Sequence, residues 1–162
     1  MAGHDVSDGG LITCLLEMAF GGISGIKIDI THKCGKSVDI LFAEELGWVL
    51  EVDSKDLEFI NTTFKNHCVP VHVIGASTTL GINSLVTISV NGSLALNSDL
   101  LSLYRTWEET SYRLERRQAN PDVVQKEFES LGKRKTPTYR LTFDPHKSPS
   151  PSRQLTSRKF SL

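Results

Sequence analysis

The segment best suited to chemistry lies near the amino terminus and reads His4-Asp5-Val6-Ser7-Asp8-Gly9-Gly10. It places two carboxylates, a hydroxyl and paired glycines directly ahead of an apolar run with helical spacing. Free N–H groups and the positive dipole end at a helix start attract phosphate, and glycines let the backbone approach it. A carboxylate beside that phosphate can hold Mg²⁺, which prefers oxygen ligands. The segment therefore predicts a metal-nucleotide site.

The same segment also has a plain structural interpretation, in which Ser-Asp-Gly-Gly is only a capped turn. Ser7 or Asp8 is then the N-cap of the following helix, and His4 is a turn residue satisfied by its neighbours. The segment is not a Walker A loop, because no Gly-Lys-Ser/Thr follows the glycines. Spacing alone leaves the nucleotide site and the capped turn both open.

The elements that must position this segment alternate between helical and strand patterns in the first half of the chain. Apolar spacing predicts a helix from Leu11 that ends at Gly21-Gly22. Ser54 is predicted to cap a second helix that ends near His67. Strands are predicted at 26–30, 48–52 and 71–74, with a loop at 42–47 and turns at 75–81.

The second half begins with a hairpin and continues with two helices. Asn91-Gly92 suits a type I′ turn between strands 85–90 and 93–96, since both central residues need positive φ. A long amphipathic helix is predicted from Asp99. Asn120 then caps a last helix with Pro121 at its first position, and Gly132 ends it.

These patterns predict an α+β fold with a mixed, largely antiparallel sheet covered by helices. The strands are expected in one sheet. Residues 1–98 form the α+β domain, 99–132 are helices that complete it, and 133–162 are a Pro/Ser/basic linker or disordered tail.

Composition and charge narrow the class of protein. With 39% apolar and 23% charged residues, the chain is typical of a globular protein, and no apolar run approaches the roughly 20 residues of a membrane span. The first residues lack the pattern of a secretory signal, so a cytosolic location without membrane contact is expected. The three cysteines, Cys14, Cys34 and Cys68, are expected to be free thiols.

The charge is distributed unevenly along the chain. Residues 1–132 carry 10 Lys and Arg against 18 Asp and Glu, whereas residues 133–162 carry 8 against 1. The basic tail could attract nucleic acid or an anionic surface, or be a solvated end. It lacks interleaved aromatic residues and a nucleic-acid module, so nucleic acid is not expected as a partner.

Further blocks follow the first segment in order: Leu41-Phe42-Ala43-Glu44-Glu45-Leu46-Gly47, Leu50-Glu51-Val52, Val90-Asn91-Gly92, Trp107-Glu108-Glu109-Thr110-Ser111-Tyr112, Asn120-Pro121 and Tyr139-Arg140-Leu141-Thr142-Phe143-Asp144-Pro145. With Gly3 to Leu11 and Leu15 to Phe20, they resemble the large phosphoribosylformylglycinamidine synthases. The resemblance covers residues 2 to about 145. It points to the C-terminal subdomain of the second of two halves of the aminoimidazole ribonucleotide (AIR) synthetase type, ahead of the glutaminase.

The resemblance implies both a fold and an activity. The family uses ATP and glutamine to convert formylglycinamide ribonucleotide to its amidine in purine synthesis, and large members retain a second nucleotide. The family's His-Asp-x-Ser motif matches His4-Asp5-Val6-Ser7, which makes Asp5 a Mg²⁺ ligand and Ser7 a contact of ATP or ADP. Gly9 and Gly10 then leave the backbone room at the helix start. Asp8 is expected either to cap the helix or to contact the ligands of the ion rather than the ion itself.

The chain also departs from the family. Nothing in it resembles the glutaminase, the substrate-binding first half is absent, and no cysteine has the setting of a catalytic nucleophile. We therefore expect a fragment with no catalytic residues, inactive without the remainder of the synthase. Two alternatives are a non-catalytic interaction module that retains the fold, and another enzyme of this superfold such as a selenophosphate or thiamine-phosphate enzyme. The Trp107 helix and Asn120-Pro121 argue against the latter.

Overall fold

Two parallel strands form the buried centre of the protein. The structure is a computed structural model that describes residues 2–33, 35–136, 138, 141–144 and 147. Strands β2 (Ser24–Ile30) and β5 (Leu85–Val90) pair in parallel, with Ile28 opposite Ile88. Ile88 is completely buried, which places this pair at the heart of the apolar core.

The central pair is extended on both sides by antiparallel strands. β4 (Gly75–Leu80) pairs with β2, and β6 (Ser93–Asp99) pairs with β5, which gives the order β4-β2-β5-β6. Alternate residues of β2 are buried and exposed, so its predicted period-2 pattern is confirmed. The sheet is mixed and mostly antiparallel, as expected.

The hairpin between β5 and β6 forms at the predicted turn. Asn91 and Gly92 have φ values of 51° and 75°, the positive angles that a type I′ turn requires. Asn91 also joins the turn to β2, because its N–H donates to the Ile30 carbonyl at 2.8 Å and its side chain accepts from the His32 N–H at 2.8 Å.

A separate two-stranded ribbon corrects the expectation of one sheet. β1 (Ala2–Val6) pairs antiparallel with β3 (Gly47–Glu51), and within the described chain neither strand pairs with a strand of the four-stranded sheet. The sequence analysis assigned no strand at β1. Its residues have little β propensity, and pairing with β3 rather than local preference sets their conformation.

Helix α1 (Gly10–Gly22) links the two sheets, and it ends at the predicted glycines. Phe20 is buried and stacks on Tyr104 with 4.6 Å between the ring centroids. The left-handed cap is Ile23, with φ of 48°, whose N–H bonds the carbonyls of the last turn.

The C-terminal helices complete the same core. Asn120 caps α5 (Pro121–Ser130), so that predicted cap is confirmed. Helix α4 (Leu100–Glu115) begins where the sequence predicts, and the structure adds that Asp99 is its cap. Leu100 of α4 is completely buried and belongs to the apolar cluster that includes the central strands.

Two local predictions were wrong, and one short helix was missed. The strand predicted at 71–74 lies at β4 instead, because hydrogen bonding to β2 begins at Ile74 and continues through the small residues that follow. Asp53, not Ser54, caps a 3₁₀ turn at Ser54–Asp56 ahead of α3 (Leu57–Asn66). Short helix α2 (Ser37–Leu41) had no clear apolar period and was not predicted.

Some expectations fall outside the described residues. The expectation for Cys34 is one of them. The other is the expectation for the tail at residues 137, 139–140, 145–146 and 148–162. Cys14 and Cys68 are free, as expected. Within the ranges that the structure describes, no helix is both long and apolar enough to cross a membrane.

Candidate functional site

The ribbon presents Asp5 on its outer face. Asp5 lies opposite Trp48 in the antiparallel register, so the two side chains project from the same side. The Asp5 side chain is 66% exposed. Its carboxylate is therefore accessible to a ligand that approaches the ribbon from solvent.

Ser7 and Asp8 form the turn that connects this strand to α1. Both are exposed, and the Ser7 carbonyl accepts a hydrogen bond from the Gly10 N–H at 2.9 Å. Gly9, with φ of 83°, is the N-cap residue, and as a glycine it has no side chain that could cap the helix. The prediction of Ser7 or Asp8 as N-cap was wrong, because both precede the cap position.

A carboxylate from a loop distant in sequence accepts a hydrogen bond at the start of α1. The Gly9 N–H donates to Glu44 Oε1 at 2.9 Å. Glu44 follows α2. From the sequence, its segment is predicted only as a loop and as one of the segments similar to the family. Nothing local in the sequence pairs Glu44 with Gly9, although the first turn of α1 contains no acid of its own among the described residues.

Gly10 has a packing role that the sequence analysis did not foresee. Its φ is 75°, and a Cβ built there would lie 2.6 Å from the Phe42 carbonyl carbon and 2.9 Å from the Ala43 carbonyl oxygen. Gly10 is buried against this loop, whereas Gly9 is only partly covered. Only a residue without a side chain fits, so Gly10 holds the loop before Glu44 close to α1.

His4 ties the ribbon to α1. Its Nε2 lies 3.2 Å from Glu17 Oε2, and its Nδ1 lies 2.7 Å from the Asp5 carbonyl oxygen. The imidazole is therefore held by α1 and by the backbone of its own strand. This arrangement fixes the strand that carries Asp5 and fits a positioning role for His4.

Cys14 lies beneath this strand and is shielded from solvent. Only 2% of the residue is exposed, and its thiol contacts the His4 carbonyl at 3.8 Å. Burial raises the pKa of Cys14 to about 11, and the negative charges of Glu17 and Asp5 act in the same direction. A thiol that stays protonated is a poor nucleophile.

The residues present fit an ion that arrives with its nucleotide better than a resident metal centre. The described residues contain no group of three or more His, Cys, Asp or Glu side chains able to hold a metal. Mg²⁺ is commonly held by one or two carboxylates with phosphate and water as its other ligands. A single accessible carboxylate at Asp5 meets that requirement.

Two cavities in the described part of the protein lie elsewhere. An open groove of about 470 Å³ is lined by the end of α3 and the segment after it, from Asn61 to Val73. A cleft of about 90 Å³ separates α1 and the four-stranded sheet from β3. Neither of these two cavities is lined by the turn at 7–10, and Asp5, Ser7 and Asp8 are exposed.

Comparison with known proteins gives one family and a set of relatives. Residues 1–86 match the family described as AIR synthase related protein, C-terminal domain. A relative from Drosophila melanogaster is 43% identical over 153 residues, which cover 86% of this chain and 11% of the relative. One from Homo sapiens is 42% identical over 143 residues, covering 86% and 10%.

A relative from Schizosaccharomyces pombe is 35% identical over 159 residues, covering 96% of this chain and 12% of the relative. All three are named phosphoribosylformylglycinamidine synthase. The chain therefore spans about a tenth of the length of the curated relatives it matches.

Proposed function

The chain belongs to the family of AIR synthase related proteins, in their C-terminal domain, and we propose that it is a segment of a phosphoribosylformylglycinamidine synthase. The observation that carries this proposal is the 43% identity to the Drosophila relative across 86% of the chain. A likeness that extends past the family match at residue 86 into α4 and α5 supports this synthase over other members of the superfold.

The proposed activity belongs to the whole synthase. In it, ATP activates the amide of formylglycinamide ribonucleotide, and nitrogen from glutamine gives the amidine during purine synthesis. The partners of this segment are the first half of the synthase and the glutaminase domain, and the proposed location is the cytosol. The segment by itself has no catalytic role in the proposal.

The segment contributes a site for Mg²⁺ and ATP or ADP. Asp5 offers an accessible carboxylate oxygen to the metal, and Ser7 offers a hydroxyl from the exposed turn. Gly9 offers a backbone N–H at the positive end of α1, while Gly10 keeps the turn tight. The bound ion would neutralise phosphate charge beside these acidic residues.

The negative charge of residues 1–132 explains why a cation would be needed for nucleotide binding. Residues 1–132 carry more Asp and Glu than Lys and Arg, 18 against 10. A nucleotide phosphate that approaches this surface without a cation meets like charge. An ion held by Asp5 reverses that repulsion at the position where the phosphate contacts the turn.

A chimeric synthase tests the proposal. It is the Drosophila synthase in which the matching segment is replaced by this chain's residues. We expect the chimeric synthase to form the amidine from glutamine and ATP and to retain a nucleotide after purification. A version with the segment deleted is the control. A folded chimera that makes no product and retains no nucleotide would overturn the proposal.

A further inference from the structure

The Glu44 carboxylate occupies a position that the proposed nucleotide site needs. Its Oε1 accepts the Gly9 N–H at 2.9 Å, at the turn that also contains Ser7. Phosphate and carboxylate oxygens compete for the same donors, because both are anionic acceptors attracted to the start of a helix. One N–H group cannot serve both anions at full strength.

The start of α1 lacks an anion of its own, which explains why Glu44 binds there. Over Gly10–Gly22, all within the described chain, the first turn has no acidic residue and the N-cap has no side-chain hydrogen bond. An N–H at such a helix start is stabilised by any anion that reaches it. Glu44 reaches it from a loop 35 residues away.

The loop is fixed while the side chain can move. The backbone at Phe42 and Ala43 lies so close to Gly10 that a Cβ there would clash with it. Glu44 itself is exposed. Its carboxylate can therefore leave Gly9 by rotation of side-chain bonds into water, with no movement of the backbone.

We propose that Glu44 competes with the nucleotide phosphate for the Gly9 N–H. The Glu44 carboxylate occupies this N–H and weakens phosphate binding until a phosphate displaces it. This inference rests on the proposed function and deepens it by naming a residue that sets the affinity of that site. An exchange of one anion for another keeps the helix start neutralised in both states. The segment therefore stays folded around an empty site, at the cost of weaker nucleotide binding.

The test compares Glu44→Gln with Glu45→Gln in the chimeric synthase. Glu45 is the adjacent exposed carboxylate, and its substitution removes the same charge. After removal of bound nucleotide, Mg-ADP is titrated and its Kd measured by calorimetry. Because a hydrogen bond to a charged group is worth more than a neutral one, we expect Glu44→Gln to bind about tenfold more tightly than the unmodified chimera. Glu45→Gln should match the unmodified chimera.

The other outcomes separate the two proposals. Equal affinity in all three proteins overturns the competitor role and leaves the nucleotide site standing. Weaker binding by Glu44→Gln also overturns it, because Glu44 would then hold the ligand. If no protein binds Mg-ADP, both proposals fall.

A second measurement needs no nucleotide. In the chain of 162 residues, Glu44→Gln should lower the thermal midpoint relative to Glu45→Gln, since only Glu44 stabilises the start of α1. Added inorganic phosphate should restore more of the midpoint in Glu44→Gln than in Glu45→Gln. Identical midpoints would show that the Glu44 charge does not stabilise the start of α1 and would overturn the inference.

Discussion

Asp5 lies directly opposite Trp48 in the β1–β3 ribbon, and both side chains project from its solvent-exposed face. Trp48 is 77% exposed, so an indole and a carboxylate share an open surface. From such exposed positions, neither side chain contributes much to the stability of the fold. Substitutions on this face can therefore test binding with little direct effect on the stability of the fold.

Asp5→Asn should loosen the nucleotide retained by the chimeric synthase. The variant removes the carboxylate proposed for Mg²⁺, and a bound ligand stabilises the fold that binds it, so the thermal midpoint should fall with nucleotide content. Asp8→Asn is the control and should do less. Both variants are measured for nucleotide content and midpoint. Full retention of Mg²⁺ and nucleotide by Asp5→Asn would show that the metal assignment is wrong.

The chain alone should have no synthase activity. One subdomain cannot supply a substrate cleft and a nitrogen source together, so neither glutamine nor ammonia should support amidine formation. The assay uses purified chain with ATP and substrate, and the intact Drosophila synthase serves as the positive control. Amidine formed by the chain alone would contradict the proposed division of labour.

Gly10→Ala should destabilise the fold severely. The left-handed φ of 75° strains any other residue, and the new Cβ would lie 2.6 Å from backbone at Phe42. We expect a loss of about 2 kcal/mol or more in the free energy of unfolding. The matched control is Gly21→Ala in the same helix, where a Cβ meets nothing within 4 Å. It should be neutral or stabilising, and equal losses in urea denaturation would refute the packing role.

Asp99→Ala should cost about 1 kcal/mol of stability, because Asp99 accepts the Ser102 N–H at 2.8 Å and caps α4. Hydrogen bonds from Ser102 lower the pKa of Asp99 below its usual 3.8. This stabilisation is present above the unfolded pKa and is lost as pH falls through the lower folded value. The difference between wild type and Asp99→Ala should therefore shrink in acid. A difference that stays constant to low pH would argue against the ionised cap.

Cys14 should make the fold sensitive to alkali. Its pKa rises from 9.0 to about 11 in the folded protein. Above pH 9 the thiol ionises in the unfolded chain while the buried thiol remains protonated, so stability should fall as pH rises from 9 toward 11. Cys14→Ala should lack this component. The measurement is the pH slope of the unfolding free energy, and identical slopes for both proteins would exclude it.

The sequence was sufficient for several features that depend on local signals, although the caps predicted at Ser7 or Asp8 and at Ser54 were wrong. Asp99 and Asn120 each cap a helix through their own side chain within three residues, and Asn91-Gly92 sets its turn through its own φ angles. The alternation in β2 reports one buried face without reference to its partners. Such features depend on neighbouring residues, which periodicity and turn chemistry capture.

The remainder depended on partners distant in sequence. β1 is a strand because β3 pairs with it, and Val71 and Val73 are exposed despite their β propensity because pairing with β2 starts beyond them. At the candidate site, Asp5 is exposed, and its assignment as a Mg²⁺ ligand stays a prediction. The contact of Glu44 with Gly9 and the packing of Gly10 on the 42–43 backbone could not be foreseen from local pattern.

The parallel pairing of β2 with β5 has a consequence for synthesis on the ribosome. β2 is made before β5, and its residues Ile26, Ile28 and Ile30 lie in one apolar cluster with β5 and Leu100. Pairing across so long a stretch of chain is slow, and exposed apolar strands are prone to aggregate meanwhile. A chain that ends before β5 would leave this edge of β2 unpaired.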